Sequence, residues 1–301
     1  MTIEEVSKGA VPDQPDDRDF KAEAILGAVT VDFTEEFRLP EPPSQDQGQS
    51  DSCVAHAWSY YHWQLRGKDY SRRDLFCRIF LDYGAYIRDG GKEIVKNGHA
   101  TKDEVPDPSP QTASNMRSKA DTDALERLDD IEASYFVLPQ QDINGVAWGI
   151  KNYKGVVFGV NGSNQGWQNM LEPRPPMQGE TIWGHALYAM GYHTHGDGQK
   201  CIIAKSSWSP VTEHHIREFY FTSLIGTFNA WTLIPKESNT MKLVKDNGTV
   251  YIISGNNDKR KIGIADEDTL GLFGDEPQEV MDTTGIPEYQ TISKGFVINN
   301  K

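Results

Sequence analysis

Three side chains are candidates for acyl-transfer chemistry. Cys53 follows the polar loop "QDQGQSDS" and opens the run "CVAHAWSYYHW". A thiol in the first turn of a helix feels the positive end of the helix dipole and unpaired backbone N–H groups, which favour the thiolate, the form that attacks carbonyls. A thiolate also needs a base to hold the ion pair and to protonate the leaving group. His185 sits in the alternating apolar run "WGHALYAMGY", where a polar ring requires a partner. Developing oxyanion charge needs aimed donors, which the Gln47 side-chain amide and the Cys53 backbone N–H could supply. Taken singly, each has a plainer reading. Cys53 could be a small buried residue, His185 a satisfied core histidine, and Gln47 a loop residue.

The elements that must position these groups follow from pattern. Residues 1–45 are rich in Pro and Asp and read as an extended arm laid over the fold, with one strand at Ala28–Phe33. Ser52 reads as an N-cap and Gly67 as the stop of a helix beginning at Cys53. A second helix is expected from Ser71 to Gly90 and Gly91, a loop at Glu104–Ser114, and a further helix over "ADTDALERLDDIE". Beyond about residue 130 the runs "SYFVLP", "GVVFGVNG", "HALYAMGYH", "KCIIAKSSW" and "REFYFTS" read as strands, with "WTLIPK" closing the section. The tail, 238–301, carries expected strands "GTVYIISG" and "KGFVINN" around a short helix "IADEDTLGLFG". The predicted fold class is α+β: an arm (1–45), a helical lobe (46–130), a β lobe (131–237) and a small β-rich C-terminal module (238–301).

Together, "QGQSDSC" before a helix, "GHALYAMGY" and "IIAKSSW" resemble the papain-like cysteine peptidases. Gln47, Gly48, Ser52, Cys53 and Ala55 match the block around the nucleophile. Gly184, His185, Ala186, Gly191 and Tyr192 match the histidine block, and Lys205, Ser207 and Trp208 the block after it. His185 lies 132 residues after Cys53, within the family's spacing of roughly 130–150. The arm is similar to entry segments of bacterial and phage members without a long propeptide, and the tail loosely resembles modules of bacterial surface or phage particle proteins. The resemblance, over residues 11 to about 236, implies a two-lobe fold. Cys53 would be the nucleophile, His185 the base, and Gln47 with the Cys53 amide the oxyanion donors. Ser206 stands where the family has the asparagine that orients the histidine. Other departures are Ser50 for a disulfide cysteine, Asp51 for glycine, Val54 for tryptophan, and Ser209 for the glycine after Trp208. Asp51 should raise the thiol pKa by like charge and favour a protonated His185. These departures support an alternative: a catalytically impaired peptidase fold kept as a structural or binding module of a phage particle or cell surface.

Composition bounds the rest. The 301 residues are 37% hydrophobic and 25% charged, with net charge −14, which argues against nucleic acid or an anionic membrane as the main partner. The expected partner is a protein or peptide substrate, with the C-terminal module touching another protein or assembly. No run suits a signal peptide or a membrane span, so the expected location is the cytoplasm at synthesis, with assembly into a phage particle. Three cysteines are too sparse for a disulfide framework and fit a reduced compartment. His193 with His195, or His214 with His215, lacks an accompanying Cys or carboxylate spacing for zinc, and no phosphate-binding glycine pattern occurs, so neither cofactor nor metal is expected.

Overall fold

Ten of the first eleven positions of the helix that begins at Cys53 are wholly or nearly wholly removed from solvent, so this element is the axis of the fold. The computed structural model describes residues 9–16, 20–21, 30–121, 126, 131–138, 142–163, 166–169 and 171–235, with strand segments at 242–246, 249–253, 261–264 and 281–282. The chain divides into two units, Met1–Leu233 and Ile234–Lys301.

In the arm, β1 (Ala10–Val11), β2 (Phe20–Lys21) and β3 (Phe37–Arg38) are two-residue strands. The strand expected at Ala28–Phe33 is not formed over residues 30–33, and its remainder lies outside the described residues. Helix α1 spans Cys53–Arg66 with Ser52 at its N-cap and Gly67 in the left-handed conformation (φ 72°) at its end. Apolar and aromatic residues all around it suit a helix buried on every side.

The helix expected from Ser71 to Gly91 is instead two. Helix α2, Arg72–Ile79, is capped by the Ser71 hydroxyl, which accepts from Asp74 N–H at 3.0 Å. Strand β4 (Ala85–Tyr86) follows, then α3 (Ile87–Asn97). Gly90 and Gly91 lie inside α3. A Cβ at Gly90 would come within 2.3 Å of the Trp58 indole, and that indole donates to Ile87 O at 2.8 Å. Close packing of a large ring, not helix termination, accounts for these glycines.

The helix expected over "ADTDALERLDDIE" fails where it is described. Asp121 and Glu126 are non-helical, and Ile131 and Glu132 begin strand β5 (Ile131–Leu138). The Glu126 carbonyl accepts from His99 N–H and its carboxylate pairs with Lys68 at 2.7 Å, bonds to distant chain that replace a local ladder.

The β lobe follows with α4 (Ile143–Tyr153), β6 (Val156–Gly162), β7 (Trp183–Thr194), β8 (Lys200–Lys205), β9 (Glu213–Arg217) and β10 (Thr227–Pro235). Its sheet has the order β2-β5-β10-β6-β7-β8-β9, with β3 on β7. Strand β7 is central, antiparallel to β6 and β8 and packed against α1 and α4, so its side chains are buried almost continuously from Trp183 to Tyr192. The run "REFYFTS", expected as a strand, is a helical turn at Glu218–Thr222. Its Tyr220 hydroxyl donates to the carbonyls of Asn161 (2.8 Å) and Arg174 (3.0 Å), contacts that override β-propensity.

The second unit holds β11 (Lys242–Asp246), β12 (Thr249–Ile253), β13 (Lys261–Ile264) and β14 (Met281–Asp282), in the order β13-β12-β11-β14. Strand β12 matches the expected "GTVYIISG". Ile264, expected to start a helix, ends β13, while the rest of that helix and "KGFVINN" lie outside the described residues. No described helix is long and apolar enough to cross a membrane.

Candidate active site

Cys53 opens α1 and is fully buried. Burial pushes its thiol up to about 12, the reverse of what helix position alone implies. Hydrogen bonds from the backbone of Ala186, Gly9 and Val54 pull the other way, and the Asp51 charge adds a smaller upward push. The contact with Ala186 places the sulfur beside strand β7 at the residue after His185. Asp51 is itself buried. Its carboxylate accepts from Gly84 N–H at 2.9 Å and pairs closely with Arg117. Arg117 is a partner the sequence reading missed, because it lies 66 positions away on a separate helical turn.

His185 pairs with Val160 across β6 and β7 and is fully buried. Its Nε2 lies 3.1 Å from Ser206 Oγ, so the structure joins the two residues matched to the family's base and orienting position. Among the described residues its Nδ1 has no hydrogen-bond partner. Burial, then the nearby His214 and His56, hold the ring well below the ordinary histidine range. Burial thus disfavours both the thiolate at Cys53 and the imidazolium at His185 in this state.

Ser206 Oγ also accepts from Trp208 N–H at 3.3 Å. A hydroxyl can donate to a bare Nε2 or accept from Nε2–H, whereas an asparagine carbonyl in its place could only accept. Ser206 thus holds the ring's position without imposing a tautomer. Trp208 stacks on the imidazole, with centroids 4.0 Å apart and planes at 23°. The match at Trp208 was visible in the sequence, but the stacking was not.

Gln47 is fully buried on the loop before α1. Its Oε1 accepts from Ser207 Oγ at 2.6 Å, and its Nε2 donates to Ser50 O at 2.6 Å. The Gln47 N–H and the Ser207 carbonyl also bond at 2.9 Å. The loop before Cys53 is thereby tied to the segment after β8 that carries Ser206. Ser52 makes no capping bond. Its hydroxyl instead meets Ser50 Oγ (2.6 Å) and His56 Nδ1 (3.2 Å).

The arm crosses this arrangement. Gly9 O accepts from Ala85 N–H at 2.8 Å, and β1 pairs in parallel with β4. A Cβ at Gly9 would sit 1.8 Å from Asp51 O, and one at Gly184 would sit 2.1 Å from Ala10 O. The arm backbone is therefore pressed between the residue two before Cys53 and the residue before His185. Asp13 anchors it further on, accepting from Trp231 Nε1 (2.6 Å) and Arg88 N–H (3.2 Å).

No protein-family model matches the sequence, and no curated protein does. Solved structures do match. Xylellain, a cysteine protease from Xylella fastidiosa, aligns with a TM-score of 0.61 at 22% identity over 77% of this chain and 97% of that one. The digestive procathepsin L2 proteinase of Tenebrio molitor larval midgut aligns at 0.58 and 17% identity, over 77% and 80%. The proform of Amb a 11, a ragweed pollen cysteine protease, aligns at 0.53 and 17%, over 71% and 72%. With two lobes, a central helix beginning at Cys53 and His185 on the facing strand, this chain has the α+β fold of the papain-like cysteine peptidases.

Proposed function

We propose that this chain is a papain-like cysteine endopeptidase, and that the state described is its closed form. The observation that carries the reading is the conjunction on this fold of Cys53 at the start of α1, His185 on β7 held 3.1 Å from Ser206 Oγ, and Gln47 locked to Ser207. With the arm withdrawn and a peptide in its place, the Cys53 proton passes to His185. The thiolate attacks the scissile carbonyl, and the oxyanion takes hydrogen bonds from the Cys53 backbone N–H and the Gln47 amide. The imidazolium protonates the departing amine. Water, deprotonated by His185, then releases the acyl group.

Irreversible labelling by an epoxide inhibitor of papain-like enzymes, located by mass spectrometry, tests this. Selective modification of Cys53 over Cys77 and Cys201, lost in His185→Ala, is expected. Labelling absent from an arm-deleted chain, or even across all three cysteines, sinks the proposal.

One observation favours a second reading. Cys53 and His185 are both wholly buried, which disfavours their charged forms, His185 Nδ1 has no hydrogen-bond partner among the described residues, and Ser206 leaves the ring's tautomer open. A peptidase fold retained as a binding module, of a phage particle or cell surface, fits these facts and would show no labelling even without the arm.

A further inference from the structure

On the far part of β7, away from His185, three strands bring together His193, Cys201 and His215. One potential ligand atom from each lies within 4.8 Å of the others. Cys201 pairs with His193 across β7 and β8, and His215 pairs with Ile203 across β8 and β9. Residues 8 to 22 positions apart are thus set side by side by sheet register, which is why no local spacing pattern marks the group. The histidine pairs weighed from sequence do not form it. His195 turns to Glu172 and Asp197, and buried His214 packs against Trp167.

The hydrogen bonds of the two rings fix which nitrogens carry protons. His193 Nδ1 faces the Thr194 carbonyl at 3.2 Å, and a carbonyl only accepts, so this nitrogen bears the hydrogen. His215 Nε2 faces the Glu213 carboxylate at 3.1 Å and bears its hydrogen for the same reason. The nitrogens left over, His193 Nε2 and His215 Nδ1, face each other 3.2 Å apart, both with lone pairs. Two lone pairs at that distance repel unless a cation lies between or beside them. A proton or a metal ion would meet the need, and the adjacent Cys201 sulfur distinguishes the two. Around tetrahedral zinc, with Zn–N about 2.0–2.1 Å and Zn–S about 2.3 Å, two ligating nitrogens stand about 3.3 Å apart and nitrogen and sulfur about 3.6 Å. The observed nitrogen separation of 3.2 Å is close to that value, and with all three ligand atoms within 4.8 Å of one another the ion would draw the sulfur in. A carbonyl and a carboxylate on the outer ring nitrogens are the usual second layer of a histidine-bound metal.

We propose that His193, Cys201 and His215 form a zinc(II) site of two imidazoles and one thiolate, with a fourth position open to water. His193 and His215 are half-buried, so the ion reaches the site from the surface, while the sulfur closes it from within. The site cross-links β7, β8 and β9 and stands apart from the proposed catalytic groups.

Cobalt(II) titration of the full chain carrying Cys53→Ser, which removes the other buried thiol, tests the proposal. One cobalt ion per chain is expected, with thiolate-to-cobalt charge transfer in the near ultraviolet, intense four-coordinate visible bands, and displacement by zinc. The charge-transfer band should vanish with Cys201→Ser and survive Cys77→Ser. Because Cys201 is buried and its replacement could unfold the lobe, His193→Ala and Glu213→Gln provide surface variants. Both should weaken binding, the second by about 10–100-fold. No charge-transfer band, or one that persists at full affinity in His193→Ala, overturns the proposal and leaves a shared proton between the rings.

Discussion

The arm over Cys53 makes a quantitative prediction. The thiol stands at about 12 against an ordinary 9.0, with burial as the leading cause. Removing residues 1–13 strips the Gly9–Ala10 backbone from above Asp51 and Gly184 and readmits water. If the thiol then returns to its ordinary value, the thiolate fraction near neutral pH rises about 1,000-fold. A less basic thiolate is a weaker nucleophile, with a Brønsted slope of about 0.4–0.5, so the net gain in alkylation rate is about 50-fold. An imidazolium at His185 and the helix dipole would add to that figure. The assay is the rate of iodoacetamide labelling at each cysteine, read by peptide mass spectrometry with and without the arm. Cys77, half-buried on α2 and also pushed up chiefly by burial, serves as the internal standard. A Cys53 to Cys77 ratio that moves less than about threefold in a folded, arm-deleted chain would refute the assignment of the arm as the cause.

Three further outcomes are expected. In the arm-deleted chain Ser206→Asn should raise peptide hydrolysis by about tenfold, because a carbonyl acceptor fixes the tautomer that a hydroxyl leaves open; unchanged hydrolysis with Cys53 still reactive would count against that role. Asp13 is raised from 3.8 to about 6, chiefly by burial, so its protonated form prefers the docked arm: this contribution to docking is full below 3.8 and lost as pH rises through about 6. Asp13→Asn should abolish a fluorescence transition near that pH from Trp231, whose indole bonds Asp13, and persistence of the transition would assign it elsewhere. Gly90→Ala should lower stability to urea by about 1–3 kcal/mol through collision with Trp58, and an unchanged midpoint would mean that the helix shifts freely.

What the sequence revealed and what it hid differ by the range of the interaction. The helix from Cys53 to Gly67, the strands around His185 and the nearness of Gln47, His185 and Ser206 to the same loops were legible, since they rest on local periodicity, turn residues and a resemblance in three short blocks. Gly90 and Gly91 misled because a glycine that admits a neighbouring indole reads the same as one that stops a helix. The pairing of Asp51 with Arg117, and of Glu126 with Lys68 and His99, depends on residues dozens of positions apart. So does the His193–Cys201–His215 group, which exists only through strand register. The state of Cys53 was the hardest to foresee, because helix position lowers a thiol's pKa while burial raises it, and only the structure shows how fully the thiol is buried.

Trp208 over His185 has an optical consequence. An indole face 4.0 Å from an imidazole attracts the ring's cationic form more than its neutral form and is quenched differently by each. The protonation of His185 is thereby written into the emission of a neighbouring residue. Comparison with Trp208→Phe would isolate that signal, so the change from a neutral pair to an ion pair could be followed in real time, without label or substrate.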